Sequence, residues 1–260
     1  DARSRAHRGR HGLAARSRLE LASLAGRVDL ALGVSEYNRQ ELEHLGFRET
    51  GVLPISVDVD RLLNAPPTPT LDRLLDDRCT NFVCVGRIVP NKKIEDIIRL
   101  AEHYKRYVDS YYRFIFVGRY DGVPRYYYML RALVARFGWQ PSQFLFTGQV
   151  PDAELAAYYR AASVYISMSE HEGFCVPLIE AMATDVPVLA YSCTAIPETL
   201  GGAGIQFAPK HFELAAELLY ELAHDDAVRT AVIEGQRRRL SHFLGSRVEV
   251  DLRRLVDRFQ

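Results

Sequence analysis

The sequence predicts an α/β protein built around one complete doubly wound parallel sheet, preceded by a remnant of a second such domain. Three observations lead there. From residue 79 onward, short apolar runs rich in β-branched and aromatic residues alternate with amphipathic stretches, the rhythm of βαβ units. The runs reach glycine or serine at their carboxyl ends, at Gly86, Gly118, Gly148 and Ser169, where sheets of this kind bind ligands. The length of 260 residues, with 48% hydrophobic and 25% charged side chains, suits one full domain and part of another.

Residues 1–26 are basic, with six arginines in the first twenty, and read as a helical arm whose charges form a solvated face. Residues 28–34 alternate and then run apolar as a strand does, and Ser35 follows as the N-cap of a helix ending near Leu45-Gly46. A short strand is expected at 52–55. The run Ala65-Pro66-Pro67-Thr68-Pro69-Thr70 is read as irregular, because proline removes a donor and fixes φ. Beyond it, strands are expected at 81–85, 113–117, 144–147, 164–168 and 186–191. Helices are expected at 94–107, 126–137, 152–161, 178–183 and 212–223. The resulting division is a remnant of an N-terminal domain at 1–60, a linker at 61–78, a Rossmann-like domain at 79–242 and a helical tail at 243–260. The tyrosines at 107, 111, 112 and 126–128 read as half-buried packing.

With 33 basic and 33 acidic residues the formal charge is zero, so no global field draws in nucleic acid, and any anion site is local. The four cysteines, Cys79, Cys84, Cys175 and Cys193, form no C-x-x-C pair and no zinc-ligand spacing with histidine. There is no run of eighteen apolar residues and no apolar leader segment, so a soluble protein of the reducing cytosol is the simplest reading. The chain starts at Asp1 within polar sequence, which is read as an N-terminally trimmed fragment.

Two constellations at predicted strand ends carry chemistry. In Gly86-Arg87-Ile88-Val89-Pro90-Asn91-Lys92-Lys93 a strand ends in glycine, and a guanidinium and an ammonium follow five residues apart before a helix. A diphosphate needs this combination of close backbone approach, planar fork and point charge, and the helix near Ile94 would add its dipole. A merely solvated basic loop is the competing reading, and the strand-end position favours the phosphate site. In the stretch 169–182, Glu172 ends a loop and Glu180 follows on the first turns of a helix. Two acceptor-only carboxylates suit vicinal hydroxyls of a sugar or ribose, and the amides of Gly173, Phe174 and Cys175 can donate to further oxygens. Two surface glutamates would look the same, so the spacing alone leaves both readings open.

Together, the strand–Gly-Arg-x4-Lys element, Ser169-x-x-Glu172-Gly173-Phe174-x-x-Pro177-x-x-Glu180-Ala181-Met182 and Pro187-Val188-Leu189-Ala190 resemble the retaining, GT-B-fold nucleotide-sugar glycosyltransferases with the E-x7-E motif, glycosyl transferases group 1. The resemblance extends upstream to Val34-Ser35 and Leu53-Pro54-Ile55-Ser56-Val57-Asp58, and downstream to Pro197-Glu198 and Gly201-Gly202-Ala203-Gly204, covering roughly residues 28–225. It implies that Arg87 and Lys92 bind the donor diphosphate, with Gly86 leaving room for it. Glu180 would hold the ribose hydroxyls. Glu172 and the amides that follow, from Gly173 through Phe174 and Cys175 to Val176, would hold the donor sugar, and Gly148-Gln149-Val150 would lie near the base. The remnant at 1–60 would belong to the acceptor side. Two departures stand out. Cys175 replaces a frequent glycine, which bears on the sugar pocket, and Ile55-Ser56 replaces the usual Asn-Gly.

The function so implied is hexosyl transfer, with retention, from a nucleoside diphosphate sugar to the hydroxyl of a sugar or lipid-linked sugar in polysaccharide or glycolipid assembly. Arg87, Lys92 and Glu172 would be the catalytic residues, no protein nucleophile is required, and no cofactor is involved, the nucleotide sugar being a substrate. The reading allows peripheral attachment at the inner membrane face, and it leaves base, sugar, acceptor and oligomeric state open. The competing readings are a noncatalytic nucleotide-sugar-binding module and a same-fold epimerase or phosphorylase. Asp58-Val59-Asp60 has a metal-chelating spacing but sits in linker sequence, so no metal site is expected. His171 reads as a loop residue without a carboxylate to orient it as a base.

Overall fold

In the computed structural model, which describes residues 16–108, 111–243 and 245–257, the chain opens with a helix α1 over 16–22. It continues through β1 (Ala31–Gly33), α2 (Glu36–His44), β2 (Thr50–Val52), α3 (Asp60–Leu63) and α4 (Pro69–Leu75). The main α/β unit follows as β3 (Thr80–Val85), α5 (Ile94–Tyr107), β4 (Tyr112–Val117), α6 (Pro124–Arg136), β5 (Phe144–Gly148), α7 (Asp152–Ala161), β6 (Val164–Ser167), α8 (Val176–Ala183), β7 (Val188–Tyr191), α9 (Ile196–Leu200) and β8 (Ile205–Phe207). Helices α10 (Phe212–His224), α11 (Asp226–Leu240) and α12 (Gly245–Val256) close the chain. The first fifteen residues of the predicted basic arm lie outside the described residues.

Six strands pair in parallel in the order β5-β4-β3-β6-β7-β8, with Val83 opposite Ile115 on β4 and Tyr165 on β6. The order reverses between β3 and β6, which makes the ends of these two strands the switch point where a ligand crevice opens. The pleat explains the two layers. Phe82 and Cys84 of β3 face one core with the helix α5, while Val83 and Val85 face the other with α7 and α8. On α5, Ile94, Ile97, Ile98, Ala101 and Tyr104 follow helical spacing and are at most 1% exposed, each large side chain contributing about 1.5–3 kcal/mol on burial. Tyr104 meets Phe82 edge-on at 5.0 Å, and Trp139 meets Tyr112 at 6.0 Å. The expected half-burial of the tyrosines splits: Tyr112 and Tyr126 are buried, Tyr111 and Tyr128 are exposed.

Several features differ from the sequence reading. The proline run is not wholly irregular, because Pro69 occupies the start of α4, where its missing N–H is no loss. Val57, Val59, Leu62 and Leu75 bury their side chains in the core shared with α7 and α8, so these segments pack onto the main unit. A sixth strand, β8, follows the glycine-rich turn at 201–204, its three residues being too short to show a period. Strands β1 and β2 are also shorter than expected, and Pro54 ends the second, although Leu53 still donates to the Gly33 carbonyl at 2.9 Å. Within the predicted tail, Gly245–Val256 form α12. Through α12 it returns to the small β1–β2 pair, where a methyl group at Gly51 would lie 3.8 Å from Leu255.

Candidate functional site

The turn after β3 places Lys92 beneath Gly86. Gly86 has φ +140, a conformation that disfavours any side chain, and a Cβ there would lie 3.2 Å from Lys92 Cε and 3.3 Å from Nζ. Gly118, at the end of β4, has φ +149, and its Cβ would fall 2.0 Å from the Gly86 carbonyl oxygen. The two strand ends therefore touch backbone to backbone. A short 3₁₀ turn, Pro90–Lys92, and a left-handed Lys93 then carry the chain into α5. The amide of Ile94 donates to the Tyr126 hydroxyl at 2.9 Å, so the first amide of α5 is engaged within the protein rather than open to an anion.

The loop after β6 meets this turn from across the switch point. Asn91 joins them: its carbonyl accepts from Ser169 Oγ at 3.0 Å and from the Glu170 amide at 2.9 Å, while its side chain donates to the His171 carbonyl at 3.0 Å. Lys92 Nζ reaches Glu172 Oε1 at 2.6 Å, with the two side chains 16% and 11% exposed. Burial is the strongest influence on the Lys92 ammonium and pulls its pKa down, but Cys175, the Glu172 charge and the Glu172 hydrogen bond outweigh it and hold the pKa above the ordinary lysine value. Lys93 instead pairs with Glu170 at 3.1 Å on the more exposed side. Arg87 is exposed and makes no ion pair among the described residues.

The Glu172 amide donates to Thr194 Oγ1 at 2.9 Å, which fixes the loop before its tip. The amides of Gly173, Phe174 and Cys175 donate to no acceptor among the described residues. Cys175 has φ +72, which accounts for the glycine frequent at this place in the resembling family; a side chain here costs about 1–2 kcal/mol. Its thiol is buried, and burial pushes its pKa up to about 12. The β1–β2 unit touches the same loop, where Asn38 Oδ1 would lie 2.9 Å from a Cβ on Gly173 and Tyr37 meets His171 edge-on at 5.8 Å, and it also touches α9, whose Glu198 carboxylate accepts from the first amide of α2 at 2.7 and 2.8 Å.

Glu180, the fifth residue of α8, is 3% exposed. Its Oε2 accepts from the Tyr159 hydroxyl at 2.9 Å, and its Oε1 pairs with Arg61 of α3, which also reaches Asp152 at 2.5 Å. Burial is the main cause that raises the Glu180 pKa. On the far side of the switch point, Gly148 bonds across to Gly118, and Tyr120 stacks on Tyr127 at 4.3 Å and covers Gly148. Arg119, Tyr120, Asp121, Thr147, Gly148 and Gln149 line a cleft of about 520 Å³ there, with Val150 packed into the neighbouring core.

Of the residues expected from sequence, Gly86, Lys92, Glu172 and the 173–175 amides thus come together, Glu180 lies on α8, and Gly148 and Gln149 line a cleft next to Gly118. Asp58 and Asp60 are exposed and belong to no group of ligating residues among those described. Sequence reasoning missed Arg61, Tyr159, Asn91 and Thr194, which act through contacts distant in the chain. Tyr159 alone left a signal, a polar-tipped aromatic on the inward face of an amphipathic helix.

Residues 74–239 match the family described as Glycosyl transferases group 1. The O-antigen chain mannosyltransferase B of Escherichia coli is 28% identical over 145 residues, 56% of this chain and 37% of that protein. A GDP-mannose-dependent alpha-mannosyltransferase of Mycolicibacterium smegmatis is 36% identical over 106 residues, 41% of this chain and 24% of that protein. Among solved structures, the Anabaena protein Alr3699/HepE in complex with UDP and glucose superposes with a TM-score of 0.79 at 18% identity, covering 92% of this chain and 66% of that one. These matches span well under half the length of the two sequence relatives. No described helix is long and apolar enough to cross a membrane.

Proposed function

Since the chain belongs to the Glycosyl transferases group 1 family, we propose that it holds the donor for retaining hexosyl transfer from a nucleoside diphosphate sugar to a hydroxyl of a sugar or lipid-linked sugar. The observation that carries this reading is the Lys92–Glu172 pair seated against Gly86 at the switch point, with the buried Glu180 on the adjoining helix. GDP-mannose is the first donor to test, because two relatives bear mannosyltransferase names.

In this reading Lys92 and Arg87 neutralise charge that builds on the departing diphosphate, the electrostatic contribution that usually dominates such catalysis. The raised Lys92 pKa keeps the ammonium charged throughout the neutral range. Glu172 and the amides from Gly173 to Val176 take the sugar hydroxyls, Glu180 takes the ribose, and the base lies beside Gly148-Gln149-Val150. The acceptor attacks from the leaving-group face, and a diphosphate oxygen takes its proton. The chain's own cations serve in place of a metal, no cofactor takes part, and the reaction is cytoplasmic, with room for peripheral attachment at the inner membrane face. The 260-residue chain alone is expected to bind donor without turnover, because acceptor positioning, worth about 7–11 kcal/mol in well-oriented cases, falls to the facing domain, of which residues 1–60 would be a remnant.

Calorimetry with GDP-mannose, UDP-glucose and ADP-glucose, paired with product detection on a panel of sugar acceptors, tests the reading. Saturable binding of one nucleotide sugar and of its nucleoside diphosphate is expected. Failure of all three to bind would overturn it, and turnover by the isolated chain would overturn the assignment of the acceptor site.

A further inference from the structure

Arg61 lies 119 residues from Glu180 in sequence, on the short helix α3, and yet pairs with its carboxylate. The side chains are 32% and 4% exposed, so the guanidinium lies at the rim and the carboxylate inside. The arrangement is built from several directions. Val57, Val59 and Leu62, which flank Arg61, are anchored in the core against α7 and α8, and Asp152 at the start of α7 holds the other arm of the guanidinium at 2.5 Å. Tyr159, also on α7 and fully buried, donates to Glu180 Oε2 at 2.9 Å.

We propose that Arg61 is a positioning residue for ribose recognition: with Tyr159 it clamps the Glu180 carboxylate in one charged orientation, leaving the remaining lone pairs of both oxygens for the two ribose hydroxyls. The proposal rests on the assignment of Glu180 to the ribose. The chemistry follows from acceptor capacity. A carboxylate offers about four lone-pair sites, the two clamping bonds occupy one on each oxygen, and one on each remains. Without a clamp, a buried carboxylate would take up a proton or rotate, and either change removes acceptors. Burial is the largest influence on Glu180 and raises its pKa, the Asp152 charge adds to that, and Tyr159 and Arg61 act in the opposite direction. On α11, which also packs against α8, Arg237 turns away to Asp185, and Arg239 to the carbonyls of Glu198 and Thr199. Arg61 is therefore the cation that opposes the burial-driven rise of the Glu180 pKa.

The test uses the full chain and its Arg61→Gln and Arg61→Lys variants, each first checked for an unchanged melting transition. Affinities for GDP, UDP, their 2′-deoxy counterparts and inorganic pyrophosphate are measured by calorimetry from pH 5.5 to 8. For the unaltered chain, the ribose preference of the nucleotide that binds is expected at about 10- to 100-fold at pH 8, the scale of a hydrogen bond to a charged group. Arg61→Gln is expected to lose most of that preference, and more of it as the pH falls. Arg61→Lys should restore the pH profile of the unaltered chain with a smaller preference, because charge returns without the planar fork. Pyrophosphate affinity should stay the same in all three. An unchanged preference in Arg61→Gln would overturn the proposal, as would an equal loss for nucleotide and pyrophosphate, which would make Arg61 a phosphate contact. Carbon-detected NMR of the Glu180 carboxyl in the unliganded chain separates this from the parent reading. Its titration midpoint should rise in Arg61→Gln by at least about one pH unit. If it does not move, the clamp is refuted whatever ligand binds; if it moves while the unaltered chain shows no ribose preference, the ribose assignment is what fails.

Discussion

Replacing Lys92 by alanine separates the phosphate reading from a generic basic loop. The Lys92–Glu172 contact is 2.6 Å between side chains that are 16% and 11% exposed, so removing the ammonium leaves a carboxylate with little water to take its place. Breaking such a pair costs about 3–5 kcal/mol, and the low end applies at a cleft mouth. For a domain of this size each kcal/mol shifts Tm by about 2–4 °C, so a fall of roughly 6–12 °C is expected. The lost contact to the diphosphate is worth about 1.5–3 kcal/mol, or roughly 10- to 150-fold in Kd. Lys93→Ala is the control: its pair with Glu170 involves side chains 31% and 44% exposed, and exposed pairs contribute about 0–1 kcal/mol. Adding Glu172→Gln to the Lys92 variant removes the stranded charge and should recover much of the stability but none of the affinity. The Lys92 pKa is raised, so its contribution to stability is complete at neutral pH and is lost only as pH climbs above the ordinary lysine value of 10.5. Calorimetry with the bound nucleoside diphosphate and thermal melts of the four proteins provide the data. Equal losses of affinity for Lys92→Ala and Lys93→Ala would refute the phosphate assignment.

Gly118→Ala should impair binding although residue 118 contacts no expected ligand group, because its Cβ would meet the Gly86 carbonyl at 2.0 Å and push the phosphate turn aside; normal affinity and Tm would show that the strand ends can separate freely. Glu180→Ala should weaken ribonucleotides far more than 2′-deoxyribonucleotides, and the same loss for both in calorimetry would remove Glu180 from the ribose. In the folded chain a thiol reagent at pH 8 should label Cys79 and Cys193, while Cys84 and Cys175, buried and pushed up to about 12, stay unlabelled until denaturant is added; peptide mapping reads the outcome. EDTA should leave nucleotide affinity unchanged, and recovery of lost affinity on adding manganese would overturn the metal-free reading.

The alternating units that define the sheet were legible because their signals are local: β3, β4 and β6 are apolar runs long enough to stand out, and each ends at a residue suited to a sharp exit. The same locality exposed Gly86, Lys92, Glu172 and Glu180, which fall at fixed spacings from strand ends. What stayed hidden depends on contacts made across the fold. Arg61 falls in the stretch read as a linker, and the burial of Val57, Val59 and Leu62 against α7 and α8 brings it to Glu180. The engagement of the Ile94 amide was hidden for a similar reason, since the Tyr126 hydroxyl that accepts from it lies on another helix. The Cys175 departure looked like a matter of pocket width, but the left-handed backbone there shows that it bears first on conformation.

Asn91 ties the turn after β3 to the loop after β6 with three hydrogen bonds, two through its carbonyl and one through its side chain. A cradle assembled before its ligand arrives does not have to wait for a loop to order. Association should then proceed in a single step, with an observed rate that climbs linearly with nucleotide concentration in stopped-flow rather than levelling off at a conformational limit. Little of the interaction energy would go to freezing chain motion. Asn91→Ala, which keeps the carbonyl contacts and severs only the bond to His171, should slow capture less than it hastens release.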